Sequence, residues 1–132
     1  MTPLVVDTDV ISFLFKNDSR AQLYLPLMRN RDLLVSFMTE AELEQWILLA
    51  RWGVDRIRRF RTFLTGFASV PSSRDLILHW AEVMVAARSN GRRIEAADAW
   101  IAATTLLYGA TLVTHNPKDY LGAPNLLVLS RA

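Results

Sequence analysis

Short apolar runs recur along the chain and are separated by longer amphipathic stretches. The runs are three to five residues long and lack the alternation of a half-buried strand, so they are typical of strands buried on both faces. They lie at residues 4–6, 33–37, 67–70, 111–114 and 126–129. The first run ends at Asp7 and the fourth at Thr114, so each brings a polar side chain to the end of a strand.

The stretches between these runs repeat their apolar side chains every three or four residues, which predicts helices. The predicted helices cover residues 10–16, 19–28, 39–52, 54–64, 74–89 and 95–108. Pro26 predicts a kink or an early end in the second helix. Thr39 and Glu42 have capping-box spacing at the start of the third helix, and Ser73 is a suitable N-cap for the fifth.

Strands and helices alternate, so the sequence predicts an α/β fold with a central parallel sheet of about four to five short strands flanked by helices. The chain has 132 residues, of which 52% are hydrophobic, and we expect residues 1–132 to form a single domain. Parallel sheets bind their ligands at the carboxyl ends of the strands. Asp7 and Thr114 should therefore lie at the functional edge.

The composition excludes several kinds of chemistry. The chain has no cysteine, which excludes disulfides, thiol catalysis and thiolate metal sites and fits a reducing cytoplasm. No apolar stretch reaches the ~18 residues of a membrane span, and residues 1–6 do not look like a signal segment. We expect a soluble, cytoplasmic protein with no membrane partner.

Two aspartates stand where a structural role explains them poorly. Asp7 follows a buried strand, where a lone carboxylate is costly. Helix capping is the alternative role, but Asp9 can cap the first helix and leave Asp7 free for a site. Asp98 lies on a stripe of small apolar side chains in a helix, and as a first-turn residue it also gains from the helix dipole.

Two further carboxylates complete the candidate site. Glu42 lies one helical turn before Trp46 on the same side of its helix, although capping with Thr39 would also explain it. Asp119 follows the fourth strand in an otherwise ordinary loop. Oxygen ligands, with only two histidines in the chain, suit Mg²⁺ or Mn²⁺. Such an ion activates phosphoryl transfer to water, which makes a phosphodiester the natural substrate.

The fourth predicted helix carries most of its charge as arginine. Arg56, Arg58, Arg59 and Arg61 lie within one segment, and Asp55 is the only acid of that helix. A solvated face is the structural interpretation. Because the positive charge is largely unpaired and a nuclease needs cations near an acidic pocket, we expect this cluster to contact RNA or a protein partner.

These residues resemble the motifs of the PIN-domain nucleases, in particular the VapC-type toxins of toxin–antitoxin pairs. The resemblance spans the whole chain, with four motifs in the family order. The matching segments are Leu4-Val5-Val6-Asp7-Thr8-Asp9-Val10-Ile11, residues 36–43, Asp98-Ala99-Trp100-Ile101-Ala102-Ala103, and Leu112-Val113-Thr114-His115-Asn116 with Asp119-Tyr120. Each motif is weak alone, but four in order with suitable spacing form a specific pattern.

The resemblance implies a PIN-like three-layer fold and an endoribonuclease that depends on Mg²⁺ or Mn²⁺. It implies a type II toxin with a cognate antitoxin, an RNA substrate and a homodimer. The residues it assigns to catalysis and metal binding are Asp7, Glu42, Asp98 and Asp119. The neighbouring residues it implies are Thr8, Asp9, Thr114 and Asn116. Two positions depart from the family pattern. Asp9 stands where the family often has an uncharged polar residue, and Tyr120 stands where it often has Phe.

Three alternatives fit parts of the same pattern. Asp7-Thr8-Asp9 after a strand also suits a phosphotransferase of the haloacid dehalogenase type, with Asp7 as nucleophile, but Lys118 and Asp119 are in the wrong order for it. A phosphoacceptor receiver domain would need a Lys after the last strand, where the chain has Ser130. A PIN-like module without catalysis, serving only as a binding partner, is the third alternative.

Overall fold

The computed structural model describes all residues, 1–132, as five strands and six α-helices. The strands are β1 Leu4–Val6, β2 Leu33–Ser36, β3 Ala68–Val70, β4 Thr111–Val113 and β5 Val128–Leu129. The helices are α1 Thr8–Lys16, α2 Ala21–Met28, α3 Phe37–Ala50, α4 Val54–Leu64, α5 Arg74–Ser89 and α6 Ala96–Leu107. A 3-10 turn covers Pro117–Tyr120. None of the helices has both the length and the apolar character that crossing a membrane requires.

All five strands run parallel in the order β3-β2-β1-β4-β5, which confirms the predicted α/β class. β1 lies at the centre, with Leu4 opposite Leu33 of β2 and Thr111 of β4. The chain builds outward from β1 in both directions, so the strand order reverses between β1 and β4. In such sheets a ligand crevice opens at this reversal, beyond the carboxyl ends of the two strands.

The side chains of β1 enter two hydrophobic cores on opposite faces of the sheet. Leu4 and Val6 belong to the core formed with α1 to α4, and Val5 belongs to the core formed with α5 and α6. All three side chains are fully buried. This burial on both faces explains why the strand is continuously apolar rather than alternating.

The start of α3 differs from the prediction. Phe37 is its first residue, and the Ser36 side chain accepts a hydrogen bond from the Met38 backbone nitrogen at 3.1 Å, so Ser36 is the N-cap. Thr39 is buried within the helix. The predicted capping box of Thr39 and Glu42 is therefore wrong, and Glu42 is available for other contacts.

Other boundaries agree closely with the prediction. α4 and α5 have the predicted bounds, and Ser73 caps α5 by accepting from the Leu76 nitrogen. The early end suggested by Pro26 does not occur, since α2 continues to Met28. β2, β3 and β4 are each one residue shorter than predicted, and the edge strand β5 is two residues shorter.

Candidate active site

Asp7 lies between the end of β1 and the start of α1, and its side chain is only 7% exposed. Its Oδ1 accepts from the Thr8 nitrogen at 2.8 Å, so Asp7 itself is the N-cap of α1. The expectation that Asp9 takes this role is wrong. Asp7 Oδ2 accepts from the hydroxyls of Thr114 at 2.7 Å and Tyr120 at 3.0 Å. One carboxylate thus caps the helix and faces the crevice between β1 and β4.

Burial raises the pKa of Asp7 to about 6, and the neighbouring charge of Asp9 adds to the shift. Hydrogen bonds from Thr114, Thr8 and Tyr120 stabilise the ionised form but offset only part of this effect. A buried carboxylate with so high a pKa is costly to the fold, and perturbed groups of this kind concentrate at functional sites.

Asp98 lies in the first turn of α6, as predicted. Its pKa is also raised to about 6, first by burial and then by the charges of Asp7, Asp119 and Glu42. The Tyr120 hydroxyl that donates to Asp7 lies 3.5 Å from Asp98 Oδ1. Tyr120 therefore spans the gap between two of the predicted carboxylates, a contact that the sequence analysis missed.

Glu42 is connected to the start of α1. Its Oε1 accepts from the Thr8 hydroxyl at 2.7 Å, and that hydroxyl also lies 3.1 Å from the Thr39 hydroxyl. Burial raises the pKa of Glu42, and the charge of Asp7 raises it further. α3 thus carries Glu42 to the same crevice that Asp7 faces from β1.

Asp9 has a definite role in the structure. Its Oδ1 accepts from the Val10 nitrogen, and its Oδ2 accepts from the His115 nitrogen at 3.1 Å and from Asn116 Nδ2 at 2.7 Å. Burial raises the pKa of Asp9. These bonds fasten the loop after β4 to α1, which positions Asn116 beside the crevice. His115 bonds through Nδ1 to the Tyr24 hydroxyl at 2.5 Å and so acts as a structural loop residue.

The loop after β4 also brings Asp119 to the site. Thr114 is fully buried, and its hydroxyl accepts from the Asn116 nitrogen at 3.1 Å while it donates to Asp7. Asp119 follows on the 3-10 turn, where it is exposed. Its charge raises the pKa of Asp98, so the two side chains share one electrostatic environment.

All four predicted carboxylates line one open cleft of about 350 Å³, together with Thr8, Asp9 and Asn116. Thr114 lies directly beneath it. The sequence analysis missed three further residues of the lining: Ser12, Lys16 and Trp46. A signal for them was present, because Thr8, Ser12 and Lys16 recur every four residues on α1, and Trp46 follows Glu42 by four on α3.

The donor set fits a hard divalent cation in its chemistry. It consists of carboxylate oxygens with no nitrogen or sulfur ligand, the set that Mg²⁺ and Mn²⁺ prefer. The structure contains no group of three or more His, Cys, Asp or Glu side chains arranged to enclose an ion. Mg²⁺ commonly uses only one or two protein carboxylates and keeps several waters, so an open cleft of this composition suits it.

Two of the four arginines in the cluster on α4 have acidic partners. Arg61 forms a two-pronged ion pair with Glu44 at 2.7 and 3.1 Å, and Arg58 lies 3.5 Å from Asp55. The expectation that the positive charge is largely unpaired is therefore wrong for these two. Arg56 lies over the Trp52 ring at 4.2 Å, and neither it nor Arg59 has an acidic partner.

The parallel sheet with an acidic cleft at its carboxyl edge is consistent with the resemblance noted from the motifs, and the chain belongs to the PIN domain family. The family model for the PIN domain matches residues 4–120, which include all four predicted carboxylates. Family membership confirms the resemblance noted from the motifs. It also excludes the phosphotransferase and receiver-domain alternatives.

Within that family the chain is similar to VapC-type proteins. Over 118 residues it is 29% identical to the protein named Ribonuclease VapC1 of Haemophilus influenzae strain R2866, covering 88% of each chain. Its structure is similar to that of VapBC-1 from nontypeable Haemophilus influenzae, with a TM-score of 0.81, 27% identity and 96% of each chain covered. VapBC2 from Rickettsia felis, solved with a DNA fragment from its promoter, has a TM-score of 0.85 at 21% identity and 98% coverage of each chain, a likeness of fold.

Proposed function

We propose that this PIN-domain protein is a metal-dependent endoribonuclease and the toxin of a type II toxin–antitoxin pair. The observation that carries the proposal is that four separate segments each bring one carboxylate to the same cleft. Burial and the negative charges of neighbouring carboxylates raise the pKa of three of them, Asp7, Glu42 and Asp98. The similarity to a protein named Ribonuclease VapC1 supports RNA as the substrate.

Asp7, Glu42, Asp98 and Asp119 would hold Mg²⁺ or Mn²⁺. When bound, the ion supplies a Lewis acid that polarises a phosphoryl oxygen and lowers the pKa of water. Its positive charge would also favour the ionised forms of Asp7 and Asp98, whose pKa values burial and then neighbouring negative charges raise to about 6. Asp119, the exposed member of the set, would be the ligand most readily replaced by water.

The other residues of the cleft orient these carboxylates. The Thr114 hydroxyl holds Asp7 Oδ2, and the Thr8 hydroxyl holds Glu42 Oε1. Asp9 holds the Asn116 amide, so that the loop after β4 keeps its place beside Asp7. Each bond fixes a side chain before the substrate arrives, which reduces the rearrangement that the transition state requires.

We also propose an antitoxin partner, a homodimer and a cytoplasmic location. Exposed apolar side chains support partner surfaces: Leu48 and Leu49 at the end of α3 are 77% and 76% exposed, and Val85 on α5 is 67% exposed. A protein of similar fold from Klebsiella pneumoniae was solved as a toxin–antitoxin complex. The absence of cysteine suits a reducing compartment. Gel filtration with light scattering at high micromolar concentration tests the dimer, and a monomer there would contradict it.

Substitution of the carboxylates tests the reaction. Asp7→Asn and Asp98→Asn should each abolish RNA cleavage in the presence of Mg²⁺ or Mn²⁺, and Asp119→Asn should reduce it less. Asp75→Asn, an exposed acid on α5 outside the cleft, is the matched control and should cleave at the wild-type rate. Chelation with EDTA should stop cleavage by the wild type. If Asp98→Asn cleaves RNA at the wild-type rate, the assignment of Asp98 to the active site is wrong. A wild type that binds RNA but never cleaves it would favour a binding module.

A further inference from the structure

One end of the acidic cleft differs chemically from the other. Among the residues that line it, Lys16 is the sole cation and Trp46 the sole hydrophobic side chain. The two lie together, with the Lys16 Nζ 4.9 Å from the centroid of the Trp46 ring. The remaining lining consists of carboxylates and small polar side chains.

Two neighbouring helices produce this polarity. Thr8, Ser12 and Lys16 follow one another on successive turns of α1, so Lys16 lies roughly 12 Å along the helix from Thr8. Trp46 lies one turn beyond Glu42 on α3. The two helices contact each other where Thr8 bonds to Glu42 and again where Lys16 lies against Trp46. The cleft therefore extends away from the carboxylates toward a cation and an aromatic ring.

We propose that Lys16 and Trp46 form a nucleotide subsite for single-stranded RNA. Trp46 stacks on the base of a nucleotide next to the cleaved bond, and Lys16 binds a phosphate of that strand. The inference rests on the proposed ribonuclease function and adds to it a preference for an unpaired base. A base within a duplex presents no free face, so this subsite selects single-stranded segments.

The existing contact between the two side chains does not prevent this. An exposed cation–π contact is worth roughly a two- to fivefold factor in an equilibrium constant. Stacking of a base on an aromatic side chain increases a binding constant roughly five- to 150-fold. A base on the Trp46 face therefore displaces the ammonium group at a net gain. Lys16 is exposed and forms no ion pair, so it is free to move to a phosphate.

The charge distribution in the cleft also supports phosphate binding by Lys16. The cleft is lined by five carboxylates, Asp7, Asp9, Glu42, Asp98 and Asp119. Such a surface repels an RNA strand even when a divalent ion neutralises part of the charge. A cation at the mouth of the cleft attracts the phosphate that precedes or follows the cleaved one. Lys16 is the residue placed to do this.

The variants are chosen so that a packing defect is separated from the removal of a stacking face. Trp46 also packs against the rings of Trp52 and Phe60, at centroid distances of 4.6 and 6.0 Å. Trp46→Leu removes the stacking face, and Trp46→Phe retains one. Trp52→Leu is the matched control, since it removes a ring from the same cluster but does not line the cleft. Lys16→Gln is paired with Arg88→Gln, an exposed cation on α5.

Binding of a short single-stranded RNA is measured by fluorescence anisotropy in the Asp98→Asn background, so that the RNA stays intact. Trp46→Leu should weaken binding on the order of tenfold, while Trp46→Phe and Trp52→Leu stay close to the parent. Lys16→Gln should flatten the dependence of log K on log salt by about 0.7, the slope of one single-strand phosphate contact. Arg88→Gln should leave that slope unchanged.

An abasic RNA gives the decisive comparison. The bond that the wild type cleaves is mapped first, and the base on each side of it is then removed in turn. At one of these positions, Trp46→Leu should weaken binding no further, because the abasic RNA has nothing to stack. If Trp46→Leu and Lys16→Gln bind intact RNA like the parent, the proposed subsite is wrong. The same conclusion holds if these variants keep their RNA affinity but lose affinity for a protein partner. A wild type that does not cleave RNA overturns the proposed function separately.

Discussion

The hydroxyl of Tyr120 donates a hydrogen bond to Asp7 Oδ2 at 3.0 Å. Tyr120 is 2% exposed, so this bond forms out of contact with bulk water. The same hydroxyl lies 3.5 Å from Asp98 Oδ1. Two carboxylates with raised pKa values thus share one neutral donor. Burial and the negative charges around the hydroxyl raise the pKa of Tyr120 and keep it protonated.

Tyr120→Phe should therefore weaken metal binding without unfolding the protein. The hydroxyl holds Asp7 in place and lowers the pKa of both Asp7 and Asp98, so its removal leaves both carboxylates more readily protonated. A hydrogen bond to a charged group is worth roughly 1.5–3 kcal/mol, and we expect Mn²⁺ affinity to fall about tenfold. The pH midpoint of Mn²⁺ binding, followed by EPR of the free ion, should move upward. An unchanged midpoint and affinity would show that Tyr120 only fills space.

Asp7→Asn should stabilise the metal-free protein at neutral pH. The pKa of Asp7 is 3.8 in an unfolded chain and about 6 in the native protein, so the native state binds the proton more tightly. Its contribution to stability is complete below the lower value and is lost as the pH rises through about 6. The advantage of Asp7→Asn in unfolding free energy should grow by up to about 3 kcal/mol between about pH 4 and pH 7. Denaturant titrations in EDTA measure it.

Asp98→Asn is the internal comparison for that experiment. The pKa of Asp98 is raised in the same direction, but Asp98 is half-buried, and solvent screens its interactions more than those of Asp7. The unfolding free energy of Asp98→Asn should show the same pH-dependent gain over the wild type, but a smaller one. Lower stability of both variants at neutral pH would mean that the carboxylates support the fold more than they strain it.

Thr8→Val should impair catalysis through Glu42. The Thr8 hydroxyl donates to Glu42 Oε1 at 2.7 Å, and valine keeps the shape of threonine without that donor. We expect cleavage and Mn²⁺ affinity to fall together, while the thermal midpoint changes little because Thr8 lies at a partly exposed helix start. Thr8→Ser retains the hydroxyl and should restore both. If valine and serine behave alike, Thr8 does not position Glu42.

The local patterns predicted the sheet and the carboxylates well. β1 is apolar because Leu4, Val5 and Val6 are buried on both faces, and the same burial made the charge of Asp7 conspicuous. Asp98 was evident because its stripe is otherwise small and apolar. These signals reside in neighbouring residues, so no knowledge of the tertiary structure was needed.

Apart from the N-cap of α1, which is Asp7 rather than Asp9, the errors arose where a role depends on distant residues. Thr39 and Glu42 have capping-box spacing, yet both turn toward Thr8, which is more than thirty positions away in sequence. Tyr120 reaches Asp7 across 113 positions. Arg61 is paired with Glu44 of the preceding helix rather than with an acid of its own. Contacts of this kind follow from the strand order, which periodicity alone does not determine.

The division of the α4 arginines gives a final prediction. Arg56 and Arg59 have no acidic partner, whereas Arg58 lies near Asp55 and Arg61 is held by Glu44. An arginine that is already paired must break that pair before it binds phosphate, so the unpaired two should contribute more. Replacing Arg56 and Arg59 together by Gln should weaken RNA binding and flatten its salt dependence by about 0.7 for each phosphate that the variant no longer binds.

The double variant Arg58→Gln with Arg61→Gln removes the same net charge and is the matched control. It should change the salt slope less, because those guanidinium groups already have carboxylate partners. Mn²⁺ affinity should be the same in both, since neither touches the cleft carboxylates. If the first variant keeps its RNA affinity but loses antitoxin affinity, the cluster is a protein contact. If it keeps both, α4 presents a solvated face, and the cations that offset the acidic cleft must lie elsewhere, with Lys16 the nearest.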